Sequence, residues 1–151
     1  MKLRAMAAVA LGFTAVAMCG TVAARAEQSE STDKSATYCR LRVHGGILAK
    51  YVRVGSDKGK LGCPLGIEQR AAGGGRMQQF DGGSIYWSQA TGAHAVSGRI
   101  LDLWQGSRGE AGCIGYPTDD ESVTPDRRGH YQHFQHGTIW RWNDGKVSAV
   151  C

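Results

Sequence analysis

Apolar residues fall at near-helical spacing in two places: Ile47, Leu48 and Tyr51 after the Gly45-Gly46 pair, and Ile100, Leu101, Leu103 and Trp104 after Gly98-Arg99. Such spacing gathers the apolar side chains on one helix face, so each run predicts a short amphipathic helix. The stretches that follow, 59–66 and 109–117, contain a Pro and several Gly. They predict turns with positive φ rather than continued helix. Next come β-type runs. Arg76 to Phe80 and Ser84 to Trp87, linked by Asp81-Gly82-Gly83, predict a hairpin, and His130 to Phe134 with Thr138 to Trp142 predict its counterpart. A third short strand, His94 to Val96, leads into the second helix.

Laying the chain on itself explains why the pattern occurs twice. At an offset of 53, Val43-His44-Gly45-Gly46-Ile47 meets Val96-Ser97-Gly98-Arg99-Ile100, Tyr51 meets Trp104, Leu61-Gly62-Cys63-Pro64 meets Ile114-Gly115-Tyr116-Pro117, and Glu68 meets Glu121. At 54, Gln78-x-Phe80 meets Gln132-x-Phe134, and Gly83-Ser84-Ile85-Tyr86 meets Gly137-Thr138-Ile139-Trp140. The expected fold is therefore a β-rich α+β domain, 38–151, of two tandem units spanning 43–96 and 96–150.

The start of the chain has a different character. Residues 1–26 have the layout of a cleaved secretory signal: Lys2 and Arg4, an apolar run from Ala5 to Cys19, then Ala24-Arg25-Ala26. Residues 27–37 hold no apolar side chain except Ala36 and predict a flexible tether. Of the 151 residues, 18 are Lys or Arg and 13 are Asp or Glu, but three of the basic residues lie in the leader. Its removal leaves no field strong enough to gather nucleic-acid phosphates, and no membrane span is expected in the mature chain. The remaining positive charge is concentrated in the first half, between Tyr38 and Val96, which could meet an anionic surface.

Four cysteines follow the leader: Cys39, Cys63, Cys113 and Cys151. An even number in an exported chain of this size predicts two disulfides, with three connectivities open.

The Leu61-to-Pro64 and Ile114-to-Pro117 loops, the Phe-x-x-Gly-x-Ile-Tyr-Trp run from Phe80 to Trp87, and Thr91-Gly92-Ala93-His94-x-Val96-x-Gly98 resemble the LGFP repeat family. These repeats are named for a Leu-Gly-Phe-Pro loop and occur in exported envelope proteins of mycolic-acid-bearing and related bacteria. The resemblance implies a secreted, non-catalytic module without cofactors that holds a protein against wall polysaccharide, arabinogalactan or peptidoglycan, or serves a wall enzyme as an accessory. The chain departs from the pattern where Cys63 and Tyr116 replace the Phe, and where Arg141 stands opposite Trp87. Cys63 suggests a disulfide in place of aromatic packing. Two units form a short array, so either the disulfides cover its ends or two chains pair as a homodimer.

The aromatics are the leading binding candidates. Flat rings on a rigid sheet can stack on sugar faces while Arg141, His94 or amides hold hydroxyls. Tyr86 and Trp140 share a repeat position and predict core packing, whereas Trp87 and Trp142 have no aromatic counterpart and predict exposure in a shallow groove between the units. Glu68 and Glu121 could form an acid/base pair, but a repeat gives both the same environment and cannot split their pKa values. They are expected to accept loop amides instead. His130, His133 and His136 cannot converge on a metal from a strand. Nothing around Cys63 marks a nucleophile beside His94.

Overall fold

The computed structural model describes residues 34–151. The expected leader and most of the tether lie outside them. The described chain forms β1 (Ser35–Tyr38), β2 (Leu41–His44), helix α1 (Gly45–Arg53), β3 (Gln69–Arg70), β4 (Arg76–Phe80), β5 (Gly83–Ser88) and β6 (Gly92–Val96). After these come helix α2 (Gly98–Gly106), β7 (Ser122–Val123), β8 (Gly129–Phe134), β9 (Gly137–Trp142) and β10 (Val147–Val150). Short 3-10 turns at Ser56–Lys58 and Gly109–Ala111 follow the two helices. The strands pair antiparallel in three sheets: β1-β2, β3-β4-β5-β6 and β7-β8-β9-β10.

The repeat expected from sequence is present in three dimensions. Val43, Ile47, Tyr51, Leu61, Phe80 and Ile85 form one buried cluster. Their counterparts Val96, Ile100, Trp104, Ile114, Phe134 and Ile139 lie in the other, joined there by Met77, Tyr86 and Tyr116. Tyr51 donates its hydroxyl proton to Gly62 O (2.6 Å), as Trp104 Nε1 donates to Gly115 O (3.1 Å). Burial pushes the Tyr51 hydroxyl up to about 12, with nearby Asp57 adding to the shift.

The turn motif in each unit has a physical reason. Gly62 and Gly115 adopt φ of 65° and 75°, a left-handed conformation that glycine takes without steric cost. A Cβ there would also meet Asp81 Oδ2 at 2.8 Å or Gln135 Oε1 at 2.9 Å. Those two acceptors hold the next amide in the loop, Cys63 N and Tyr116 N, each at 2.9 Å. Glu68 and Glu121 do not accept loop amides as expected; Asp81 and Gln135 take that role.

Gln78 and Gln132, both fully buried, fasten each unit to what precedes it. Gln132 Nε2 donates to Ala95 O on β6 and to Asp119 O, both at 2.8 Å. Gln78 Nε2 donates to Arg42 O on β2 and to Gly66 O, both at 2.9 Å. The strand β2 therefore occupies the place before the first unit that β6 occupies before the second.

This equivalence extends to β1. Ala36 pairs with Val43 as Ser84 pairs with Val96, which aligns Tyr38 with Tyr86. The β1-β2 hairpin is thus the closing half of a third unit, placed at the front of the array. It also corrects the expected tether: Ser35, Ala36 and Thr37 belong to a strand rather than a flexible segment.

The disulfides sit at the two ends. Cys39–Cys63 (Cα–Cα 5.8 Å) ties the leading hairpin to the loop of the first unit. Cys113–Cys151 (Cα–Cα 5.9 Å) ties the residue after β10 to the loop of the second. At the Phe position of the motif, Cys63 and Tyr116 both reach back to the preceding element, since Tyr116 donates its hydroxyl to Ala72 O of the first unit. In the first unit a covalent bond makes the attachment that an aromatic side chain makes in the second.

Candidate functional site

Each unit carries a groove built from equivalent positions. The first, about 780 Å³, is lined by Arg42 and His44 on β2, the start of α1, Ile67, Glu68, Arg76 and Trp87. The second, about 660 Å³, is lined by Ala95, Ser97, Arg99, Asp120, Glu121, His130 and Arg141, with Val54, Lys60 and Leu61 of the first unit forming its front wall. Among the described residues, no earlier unit supplies a counterpart of that wall to the first groove.

The register explains how the side chains meet. Arg76 on β4 stands opposite Trp87 on β5, and His130 on β8 stands opposite Arg141 on β9. Arg42 and His44 are two apart on β2 and share a face, while Val43 between them points into the core. Trp87 lies over the first turn of α1, where a Cβ on Gly46 would meet its Cδ1 at 2.5 Å. The ring is half-buried, packed against the first core cluster along one side and lining the groove along the other. This corrects the expectation that Trp87 stands exposed.

The two grooves differ in how their charges are used. In the second, Glu121 Oε1 accepts from Arg141 Nη2 (3.0 Å) and pairs with His130 Nδ1 (2.9 Å), while its other oxygen accepts from Ser97 Oγ (3.4 Å). Arg99 donates to Gly145 O. In the first, Glu68 pairs with Arg76 Nε at 3.3 Å. The guanidinium of Arg42 and the ring of His44 have no hydrogen-bond or ion-pair partner among the described residues.

The remaining candidates lie elsewhere. Trp142 is half-buried at the far end of β9, beside Arg127, Arg128, Asn143 and Asp144, and lines neither groove. The expected groove between the units therefore exists, but Arg141 lines it and neither tryptophan does. Tyr86 is buried and meets Trp104 edge-on at 4.5 Å, as expected for core. Trp140, at the equivalent position, is only half-buried, which corrects the expectation of core packing there. His94 lies beneath the seam between units, its Nε2 2.8 Å from Thr91 O and its Nδ1 3.8 Å from Asp120 Oδ1.

At that seam Lys50 of α1, only 4% exposed, donates to Asp120. Burial alone would raise the Asp120 pKa. The neighbouring His94 ring, hydrogen bonds from Lys50 and the Ala95 amide, and the Lys50 charge together outweigh it and hold the carboxyl well below the usual range. Among the described residues, no group of three or more His, Cys, Asp or Glu side chains is placed to hold a metal ion. None of their helices is long and apolar enough to cross a membrane.

Sequence reasoning missed Arg42, His44, Ile67, Glu68 and Arg76 as groove residues. The signal was available in the offset comparison: Arg42, His44 and Trp87 fall opposite Ala95, Ser97 and Arg141, a change of chemistry at one shared site. A family model described as LGFP repeat matches residues 61–112 and 114–149, together more than half of the chain. No curated protein matches it.

Proposed function

The chain belongs to the LGFP repeat family, and we propose that it is a secreted, non-catalytic module that binds bacterial cell-wall polysaccharide through the first groove. One observation carries this reading: Trp87 presents an indole to an open cleft of about 780 Å³ between side chains with unused hydrogen-bonding capacity. Sugars are bound by stacking on flat apolar surfaces and by polar groups held at fixed positions, and this groove offers both on rigid strands. A single shallow site gives modest affinity. A polymer presents many equivalent ligands, which raises retention through multivalency. The carboxylates Glu68 and Glu121 are engaged by cationic neighbours in separate grooves, an arrangement suited to holding side chains in place rather than to paired acid/base work.

The test is retention on purified walls by wild type and Trp87→Ala, with thermal melting as the folding control. Loss of retention at unchanged melting supports the reading. Absence of wild-type retention overturns it.

A second reading, a protein-interaction or accessory module for a wall enzyme or for a second copy of this chain, is favoured by the trailing end of the array. There Trp140 is half-buried and Val150 is 62% exposed, although the equivalent Val96 is fully buried. A protein-sized crosslinked partner whose binding is lost in Val150→Glu and insensitive to competing sugar would favour this reading.

A further inference from the structure

The two grooves share one backbone plan and one carboxylate, so the residues that differ between them report what each can hold. The second groove carries Asp120 and Glu121, with Lys50 on Asp120, Arg141 and His130 turned onto Glu121, Arg99 donating to Gly145 O, and Lys60 on its front wall. The first has one carboxylate, Glu68, balanced by Arg76. Arg42 and His44 remain on the same face of β2, with no partner among the described residues, at the rim of the cleft that Trp87 lines. The first turn of α1 opens into the same space with no acidic residue and no side-chain cap, so its positive end adds to the field of the Arg42 guanidinium. An exposed cation does not by itself mark a site. A free guanidinium, a neighbouring imidazole and an aromatic ring lining one cleft form a combined requirement: a flat, partly apolar body bearing a negative group.

We propose that the first groove recognises a sugar residue carrying an anionic substituent, a carboxylate or a phosphate, with the ring on Trp87 and the anion on Arg42 and His44. The inference rests on the polysaccharide-binding reading and adds a charge requirement to it. Arg42 supplies two N–H groups in a planar fork that fits either oxyanion, which gives orientation as well as attraction. Glu68, paired with Arg76, opposes anions on its own side of the cleft, which leaves Arg42 and His44 on β2 as the place for the negative group. The second groove has no aromatic ring at the position of Trp87, where Arg141 stands, so it lacks the stacking half of this requirement.

The experiment titrates the full chain with tetragalacturonate, with its neutral methyl ester, with a glycerol phosphate oligomer and with a polyaspartate peptide. Tetragalacturonate is expected to bind at least about tenfold more tightly than the ester, and the difference is expected to shrink as salt rises. Arg42→Gln removes the charge at an exposed position while keeping the backbone carbonyl that Gln78 uses, so the fold is retained; the acid-over-ester preference should collapse. Trp87→Ala should weaken acid and ester alike. The glycerol phosphate oligomer, which has no sugar ring, tests the anion alone: it should bind more weakly than tetragalacturonate, and binding as tight as tetragalacturonate that is indifferent to Trp87→Ala overturns the requirement for a ring.

Equal binding of acid and ester by wild type, or a preference that survives Arg42→Gln, overturns the proposal. Polyaspartate binding as tight as tetragalacturonate and indifferent to Trp87→Ala overturns it in favour of an acidic protein partner. Wall retention by a protein that shows no acid preference would leave the polysaccharide reading standing and remove this one.

Discussion

Tyr38 meets Tyr51 edge-on, with ring centroids 5.0 Å apart and planes at 87°, in the same relation that Tyr86 bears to Trp104 at 4.5 Å and 86°. One pair joins the leading hairpin to the first helix and the other joins the first unit to the second helix. The contact between neighbouring units is thus made twice, once with a complete unit and once with half of one. Tyr38→Ala is expected to cost about 2 kcal/mol, combining lost burial of a half-exposed ring with the edge-to-face term. Chemical denaturation measures it, and loss of hydrogen-exchange protection should be concentrated in β1 and β2.

The seam between units should respond asymmetrically to mutation. Asp120→Ala leaves the buried Lys50 ammonium without its partner and is expected to destabilise by about 2 to 3 kcal/mol. Lys50→Leu introduces the residue found at the equivalent position, Leu103, and leaves a half-exposed carboxylate that water can solvate. It should cost less than about 1 kcal/mol. Equal losses in urea denaturation would count against the pairing described.

The same carboxylate sets a dependence on acid. Because the folded-state pKa of Asp120 lies below that of the unfolded chain, the stability it contributes is fully present above the ordinary carboxylate value of about 4. It is lost as pH falls below that value toward the folded pKa. A wild-type protein whose midpoint declines below pH 4 more steeply than that of Asp120→Asn, followed by denaturation from pH 6 to 2, is the expected result.

Gln132→Leu preserves side-chain volume and removes the donor to Ala95 O and Asp119 O. Leaving two buried carbonyls unpaired should cost about 2 to 4 kcal/mol. Gln132→Glu should be worse, since a carboxylate would face both oxygens. Thermal melts of the two variants order the effects.

The bridges should separate by location. In the chain-entropy account, loops closed over separations of 24 and 38 residues each contribute about 3 to 4 kcal/mol. Cys39→Ser with Cys63→Ser should release the β1-β2 hairpin, and Cys113→Ser with Cys151→Ser should release the end of β10. Peptide-resolved hydrogen exchange distinguishes the two.

Much of the fold was legible because it is written twice. Ile47 and Ile100, Phe80 and Phe134, Gly62 and Gly115 each confirm the other, and both helices and both central hairpins follow from spacing and turn chemistry. The leading hairpin was not legible, because a half unit offers too little to align: Tyr38 is the one recognisable counterpart, and the polar Ser35 and Thr37 resemble a linker. Its turn uses Cys39 and Arg40 at φ of 49° and 75° rather than glycine, so the usual hairpin signal was missing. The roles of the glutamates were misjudged for a related reason. Equivalence showed that Glu68 and Glu121 share an environment, but Arg76 and His130, their partners, differ in residue type and did not register as a repeated pair. Trp87 was singled out correctly as unlike its counterpart, yet sequence could not show that Gly46 leaves room for the ring to lie down on the helix.

The half unit at the front gives the array a direction. Val150 is 62% exposed where its counterpart Val96 is buried, so a further cassette copied from 98–150 and joined after Val150, with Cys113 and Cys151 both changed to Ser, would find an apolar strand to pack on while giving up the bridge that pins β10. The same cassette spliced ahead of Ser35 would first have to evict the hairpin. Engineered lengthening should disturb fewer strand pairings after β10 than ahead of β1.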